Sequence, residues 1–489
     1  MKSTSCSIGQ PSMPDLDLLK IVRGHVSAPA GFGKTQLIAD SLKGHEDDKP
    51  VLILTHTNAG VAALRKRLAD HGIPSRAYEL QTLDGWALRL LNAYPHRSGI
   101  DPKRLAIANP KQDYPAIQAA ARYLISEGCI DIILQGSYSR LWVDEYQDCS
   151  TVQHEMVVAC ANLLHTVVLG DPMQSVFGFA GRRVDWADLP IVFPEGVALE
   201  TPWRWNNAGA PEIGSWLAKA REALLKCEPI DLDEAPAGVE YSPVPPSKDL
   251  VSKEREVIRS LKQHGKVLII GRSSEEANAD EKRRHALARR HPGVTVVEPV
   301  ELRHMMNFFK RLNLEMPLST VFLCAEFAAQ TMTKIQPAKH FRDRIERIHQ
   351  NRTGRFKVTE ADQAALNVLE SPSYQSVSLL LASLRNIDGA RVFRPTIYDA
   401  TQRALLRACS NNDPEILSAA RSERDARRHQ ERTTGQLAIG TALLLKGLES
   451  DACLIMDAHT LDRHQLYVAL TRGAKAIHIW SNTSTLNAK

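Results

Sequence analysis

The segment Ala28-Pro29-Ala30-Gly31-Phe32-Gly33-Lys34-Thr35 constrains this chain more than any other. A strand-like approach, His25-Val26-Ser27, leads into it, and Gln36-Leu37-Ile38-Ala39-Asp40 continues as a helix. In that strand–loop–helix setting Gly31 and Gly33 let backbone N–H groups turn toward a phosphate chain. Lys34 reaches the β- and γ-phosphates, and the Thr35 hydroxyl is placed to hold Mg2+. Ala28 stands where the general pattern has its first glycine. The competing reading is a glycine-containing turn beside a surface lysine.

A second signal bears on the same chemistry. Leu141-Trp142-Val143-Asp144-Glu145-Tyr146-Gln147-Asp148 puts two carboxylates at the end of a short aliphatic strand. Nucleotide hydrolysis needs one carboxylate for the Mg2+ shell, here Asp144, and one to polarise the attacking water, here Glu145. Taken alone, the segment is equally an acidic strand end at a sheet surface.

Aliphatic runs of the same kind recur at Val51–Leu54, Val167–Leu169, Val267–Ile270 and Cys453–Met456, mostly separated by segments of helical period. That alternation predicts α/β layers built on buried parallel strands. Residues 229–250, with five prolines, read as loop. Residues 301–431 read as charge-rich helices with few strands, and the α/β pattern resumes near Gly435. No internal repeat is visible. At 489 residues the chain is too long for one small module. No apolar run reaches the ~18 residues of a membrane span, and the N-terminus lacks the apolar stretch of a secretory signal. Eight cysteines without a CxxC pair argue against a zinc or iron–sulfur site and fit a reducing cytoplasm. The net charge of +5 is too small to create a wide field, so any nucleic-acid surface has to be local.

With these residues in view, the chain resembles the UvrD/Rep-like helicases of superfamily 1A. Asp144-Glu145-Tyr146-Gln147 matches their DExQ box, and Val168 to Phe179 resembles motif III. Thr201-Pro202-Trp203-Arg204 resembles motif IV, Thr441 to Glu449 motif V, and Tyr467 to Arg472 motif VI. The motifs stand in family order over residues 28–475. The resemblance implies that Gln174 senses the γ-phosphate and that Arg204 and Arg472 reach it. It also implies that Trp203 stacks on adenine and that Glu449 belongs to the ATP site. A guanidinium suits charge developing on a transferring phosphoryl group, although each arginine alone is as readily a surface ion pair.

For nucleic acid, Thr55-His56-Thr57-Asn58 resembles motif Ia, and Gln81 to Trp86 the motif after it. Thr55, Thr57, Asn58 and Thr82 are expected to hold phosphates without reading sequence. Phe177 and Phe179 stand where the family stacks bases, which suits movement over any sequence; two aromatics spaced by two also read as one face of a core strand. His56 replaces a common Phe, and Leu443 replaces the usual motif V His, so coupling between DNA and ATP is expected to differ. The basic stretch Phe341–Lys357 reads first as a solvated helical face, with duplex DNA or a partner as the alternative.

The resemblance thus implies two RecA-like P-loop NTPase lobes with two mainly helical insertions. Lobe 1A would comprise 1–86 and 139–197, insertion 1B 87–138, lobe 2A 198–300 with 432–489, and insertion 2B 301–431. ATP and Mg2+ would sit between the lobes, with single-stranded or partly duplex DNA as partner and 3′→5′ movement. Both insertions are short for the family, and only residues 473–489 follow Arg472. A partner nuclease is therefore expected, in DNA repair or anti-phage defence, and size and layout are similar to Gabija-type helicase subunits. The alternatives are a DNA- or nucleotide-sensing ATPase that regulates a nuclease without processive unwinding, and an RNA helicase of the same superfamily.

Overall fold

The computed structural model describes residues 16–107, 109–176, 184–272, 277–350, 352, 357–410, 416–428 and 434–487. The chain divides into two compact units, Met1–Arg204 and Trp205–Lys489.

The first unit is built on six parallel strands: β1 (Arg23–Ser27), β2 (Val51–Thr55), β3 (Tyr78–Thr82), β4 (Arg140–Val143), β5 (His165–Gly170) and β6 (Glu195–Ala198). Their order across the sheet is β3-β2-β4-β5-β1-β6. β2 is buried at every position and β4 and β5 nearly so, as expected of strands covered on both faces. Leu52, Leu54, Leu141, Val143 and Val168 share one core with Trp86, Leu90, Ile117, Leu124, Met156 and Val157 from the helices Leu83–Ala93, Pro110–Ser126 and Thr151–Ala161. The two-residue period of a strand turns the equally buried Ile53, Trp142, Val167 and Leu169 to the opposite face. The helices between Leu83 and Ser137 therefore pack into the core of the first sheet.

The second unit contains a short antiparallel pair, β7 (Ile230–Asp231) with β14 (Thr485–Leu486), and a second parallel sheet. That sheet comprises β8 (Val239–Ser242), β9 (Val267–Ile270), β10 (Thr295–Val296), β11 (Leu437–Gly440), β12 (Ser450–Ile455) and β13 (Gly473–Trp480), in the order β10-β11-β9-β12-β13-β8. β8 lies in the proline-rich stretch expected to be loop; its pairing with β13, far along the chain, overrides the local signal.

Both parallel sheets with their flanking helices make the architecture α/β, two RecA-like lobes. The topologies also correspond. β8, β9, β11, β12 and β13 occupy the places of β1, β2, β3, β4 and β5 in the two strand orders. The correspondence reaches local backbone: Glu145 after β4 and Asp457 after β12 both have positive φ, 55° and 52°, and both open a one-turn 3-10 helix. The sequence shows no repeat because topology and backbone conformation are retained while side chains differ.

Residues 303–428 carry seven helices among those described: Arg303–Arg311, Pro317–Thr331, Ala338–His349, Glu360–Glu370, Tyr374–Arg385, Pro395–Ser410 and Ile416–Arg428. They bury a core of their own around Phe308, Phe309, Phe327, Ile345, Leu380 and Leu405. The join to the second sheet is made by Phe393, whose carbonyl accepts from Val296 N–H and whose N–H donates to Thr331 O. Beside it the buried Arg394 forms a two-pronged pair with Glu298, at 2.5 and 2.9 Å. In the basic Phe341–Lys357 stretch, Phe341, Ile345 and Ile348 are buried, and Arg344 is paired with Asp362. No helix of the described residues is long and apolar enough to cross a membrane.

Candidate nucleotide site

The C-terminal ends of the parallel strands of the first unit bring the described predicted residues of that unit to one sheet edge. This is the edge at which open α/β sheets bind ligands. β1 ends at Ser27, and the loop that follows is tied to β5 by Ala28 N–H donating to Gly170 O at 2.9 Å. Gly31 and Gly33 both take positive φ, 77° and 93°. Gly33 then stands as the N-cap of the Lys34–Lys43 helix without a side-chain cap. Thr35 lies in the first helical turn, half-buried. Pro29, Ala30 and Phe32 complete the loop, with Phe32 N–H closing a turn onto Pro29 O.

Lys34 crosses to β4. Its ammonium pairs with Asp144 at 2.7 Å and also with Glu145. Burial opposes the charge on Lys34, but the two carboxylates outweigh it and hold the pKa above the ordinary lysine range. Burial pushes the Asp144 carboxyl up, Glu145 adds to this, and Lys34 opposes it. Glu145 itself sits in the left-handed region, a conformation costly for a residue with a side chain and frequent at functional sites.

Two residues given no task by sequence reasoning hold this arrangement. Gln147 donates from Nε2 to Glu145 Oε2 at 2.5 Å and accepts at Oε1 from Asp171 N–H at 3.0 Å. Asp171, fully buried after β5, accepts from Ala30 N–H of the loop and from the Gln174 amide, both at 3.2 Å. Gln174 is thereby fixed beside the loop. The available signals were Gln147 inside the acidic box and an Asp directly after an aliphatic strand. Trp203 and Arg204 also reach this neighbourhood, since Arg204 N–H donates to Gly31 O at 3.0 Å.

Three expected phosphate contacts lie along the same edge. Thr55 ends β2 and is buried, and among the described residues its hydroxyl has no hydrogen-bond partner. Thr57 and Thr82 cap the helices Asn58–Asp70 and Leu83–Ala93, accepting from Gly60 N–H and Gly85 N–H, each at 3.0 Å. A capping hydroxyl still has its own hydrogen to donate. Asn58 begins the first of these helices. Phe177 and Phe179 lie outside the described residues.

In the second unit, Arg472 is buried against its own surroundings. Its guanidinium donates to Val468 O, Leu448 O and the Thr471 hydroxyl at 2.8, 2.8 and 2.9 Å. Glu449 is exposed, and Leu443 lies in the short helix Ala442–Leu445 capped by Thr441.

Thr35 and Asp144 offer hard oxygen donors, a hydroxyl in the first helical turn and a carboxylate at the end of β4. That suits Mg2+, which keeps waters and takes one or two carboxylates plus substrate phosphates.

A glycine loop after β1, with carboxylates ending a strand one place removed across β5, is the arrangement of a RecA-like P-loop lobe. Comparison with known proteins agrees in part. Residues 117–187 match the UvrD/REP helicase N-terminal domain. Over 67 residues the chain is 30% identical to an ATP-dependent helicase/nuclease subunit of Leuconostoc mesenteroides subsp. mesenteroides; the match spans 14% of this chain and 5% of that protein. A structure described as that of the PRRSV helicase aligns with 95% of this chain and 54% of its own, at 10% identity and a TM-score of 0.34. The first two matches support the UvrD-like helicase superfamily.

Proposed function

We propose that this protein is an ATP-dependent translocase or helicase acting on single-stranded DNA, with Mg2+ as its metal and 3′→5′ movement by family resemblance. The observation that carries the reading is the convergence of Lys34, Asp144, Glu145 and Gln147 on a glycine loop braced by Asp171. In this proposal Lys34 exchanges its carboxylate partners for the β- and γ-phosphates, and Thr35 and Asp144 hold the metal, which neutralises phosphate charge when bound. Glu145 takes the proton of the attacking water as the bond from the γ-phosphorus to the bridging oxygen breaks, giving ADP and inorganic phosphate. Gln174 senses the γ-phosphate, Arg204 and Arg472 answer its charge, Trp203 stacks on adenine, and Glu449 completes the ATP site.

Thr55, Thr57, Asn58 and Thr82 would hold the DNA backbone, with Phe177 and Phe179 stacking bases. Residues 1–86 with 139–197 and 198–300 with 432–489 are proposed as lobes 1A and 2A, and 87–138 and 301–431 as insertions 1B and 2B. A partner nuclease, in repair or Gabija-type anti-phage defence in the cytoplasm, belongs to the same proposal.

Lys34→Ala and Glu145→Gln are each expected to lower DNA-stimulated ATP turnover by at least about a hundredfold; near-normal turnover in either variant refutes the assignment. A second reading, an ATPase that senses DNA or nucleotide and gates a nuclease without unwinding, is favoured by Leu443 and by the engaged guanidinium of Arg472. ATPase activity without strand displacement distinguishes it from the motor, and stronger stimulation by RNA than by DNA would point to an RNA helicase.

A further inference from the structure

A ring of polar side chains joins the Leu83–Ala93 helix to the segment that follows Glu145. Gln153, 2% exposed, is used at both ends. Its Oε1 accepts from Ser150 N–H at 2.9 Å, and its Nε2 donates to Asp84 Oδ1 at 2.8 Å. Ser150 Oγ returns the bond by accepting from Gln153 N–H at 3.2 Å. Gln118 Nε2 also donates to Asp84 Oδ1 at 2.8 Å, and Gln118 Oε1 accepts from Ser150 Oγ at 3.4 Å. Asp84 is therefore held by two amides, both anchored on Ser150.

The ends of this ring are what give it meaning. Asp84 stands two residues after Thr82, whose hydroxyl caps the same helix. Ser150 is reached from Glu145 through a single 3-10 turn, in which Asp148 N–H donates to Glu145 O at 3.0 Å and Cys149 N–H to Tyr146 O at 3.1 Å. That turn is pinned by Tyr146, buried, with its hydroxyl 2.7 Å from His154 Nδ1. A hydrogen-bonded connection thus runs from a candidate phosphate contact to the candidate water-activating carboxylate. A buried amide satisfied at both ends resists displacement, because leaving either end unpaired carries the full desolvation cost.

We infer that Gln153 and Asp84 are positioning residues that couple occupancy of the single-strand contact at Thr82 to the placement of Glu145. The inference rests on the translocase reading above. A strand phosphate that takes the Thr82 hydroxyl shifts the start of the Leu83–Ala93 helix. Asp84 moves with it, and the two amides pass the shift to Ser150 and the turn behind Glu145. Gln153 and Asp84 bond each other, Ser150 and Gln118 rather than Lys34, Asp144 or Glu145, so their loss is expected to change the stimulation and spare the basal reaction.

The test uses the full chain, ATP turnover with and without oligo-dT, and thermal melting. Gln153→Glu keeps the acceptor for Ser150 N–H but sets a carboxylate against Asp84; Asp84→Ala, at a half-exposed position, breaks the same link from the other side. Each is expected to lower the ratio of stimulated to basal turnover about tenfold, with basal turnover close to that of the parent when measured well below each variant's own melting temperature, which the unpaired amides and the facing carboxylates lower. Asp84→Asn combined with Gln153→Glu rebuilds the pair with donor and acceptor exchanged, once the Gln118 amide turns over so that its Oε1 accepts from position 84 and its Nε2 donates to Ser150 Oγ, and is expected to recover most of the ratio. An undiminished ratio in the single variants, a parallel fall in basal turnover, or no recovery in the double variant overturns the inference alone. Absence of stimulation in the unaltered chain overturns the translocase reading and the inference with it.

Discussion

Gly170 illustrates how closely single residues decide this site. A Cβ there would run into Gln147 Oε1 and come within 2.9 Å of the Trp186 ring, so even one methyl displaces the amide that holds Glu145. Gly170→Ala is expected to cost about 1–3 kcal/mol and to reduce ATP turnover more than it reduces nucleotide affinity. Melting together with separate kcat and KM measurements checks this, and unchanged kcat would show that Gln147 has no part in placing Glu145. At this scale the sequence was informative where chemistry needs neighbours along the chain: Gly31 to Thr35, and Asp144 with Glu145. It was silent on Asp171, because an Asp after a strand is common and its task depends on Ala30, a contact made 141 residues away in sequence.

Among the elements, the join between the second sheet and the seven helices carries two strongly shifted groups. Glu281 and His285 lie on the Ala277–Arg290 helix; His304, on Arg303–Arg311, bonds Glu281 at 3.0 Å and the Gln330 side chain at 3.3 Å. Burial, with Arg394 adding to it, pushes His285 down to about 3. The His304 hydrogen bond, against the opposing effect of burial, helps bring Glu281 down to about 2. Unfolding lets His285 bind a proton near its ordinary 6.5 and Glu281 near 4.5. The unfolded chain therefore binds more protons, and stability falls as pH drops. The His285 contribution is complete above about 6.5 and lost toward 3; that of Glu281 is complete above about 4.5 and lost toward 2. Melting of the second unit is expected to move down between about pH 7 and pH 4, and His285→Gln to flatten the upper part of that dependence. A pH-independent melting temperature would contradict the partly buried, neutral imidazole. The helices here were legible from their period, whereas the ion cluster at the join depends on side chains from elements far apart in the chain.

For the molecule as a whole, the charge of +5 becomes interpretable once the candidate strand contacts are seen to be hydroxyls and amides. Neutral donors release few counterions, so binding of oligo-dT is expected to weaken only gently with salt, with a log–log slope no steeper than about −3. Fluorescence anisotropy over a salt series measures it, and a slope beyond about −5 would require a broad cationic track. The α/β class, the glycine loop and the carboxylate pair at the end of β4 could be read before any folding, since each is written in contiguous residues with a fixed local geometry. The correspondence of the two sheets, the burial of Arg472 and the ring through Asp84 and Gln153 exist only in the packed chain. The reason is physical. Parallel strands align their C-terminal ends only when register and strand order are set. That alignment brings Lys34 to Glu145 across 111 positions and Gln153 to Asp84 across 69, distances at which local pattern carries no information.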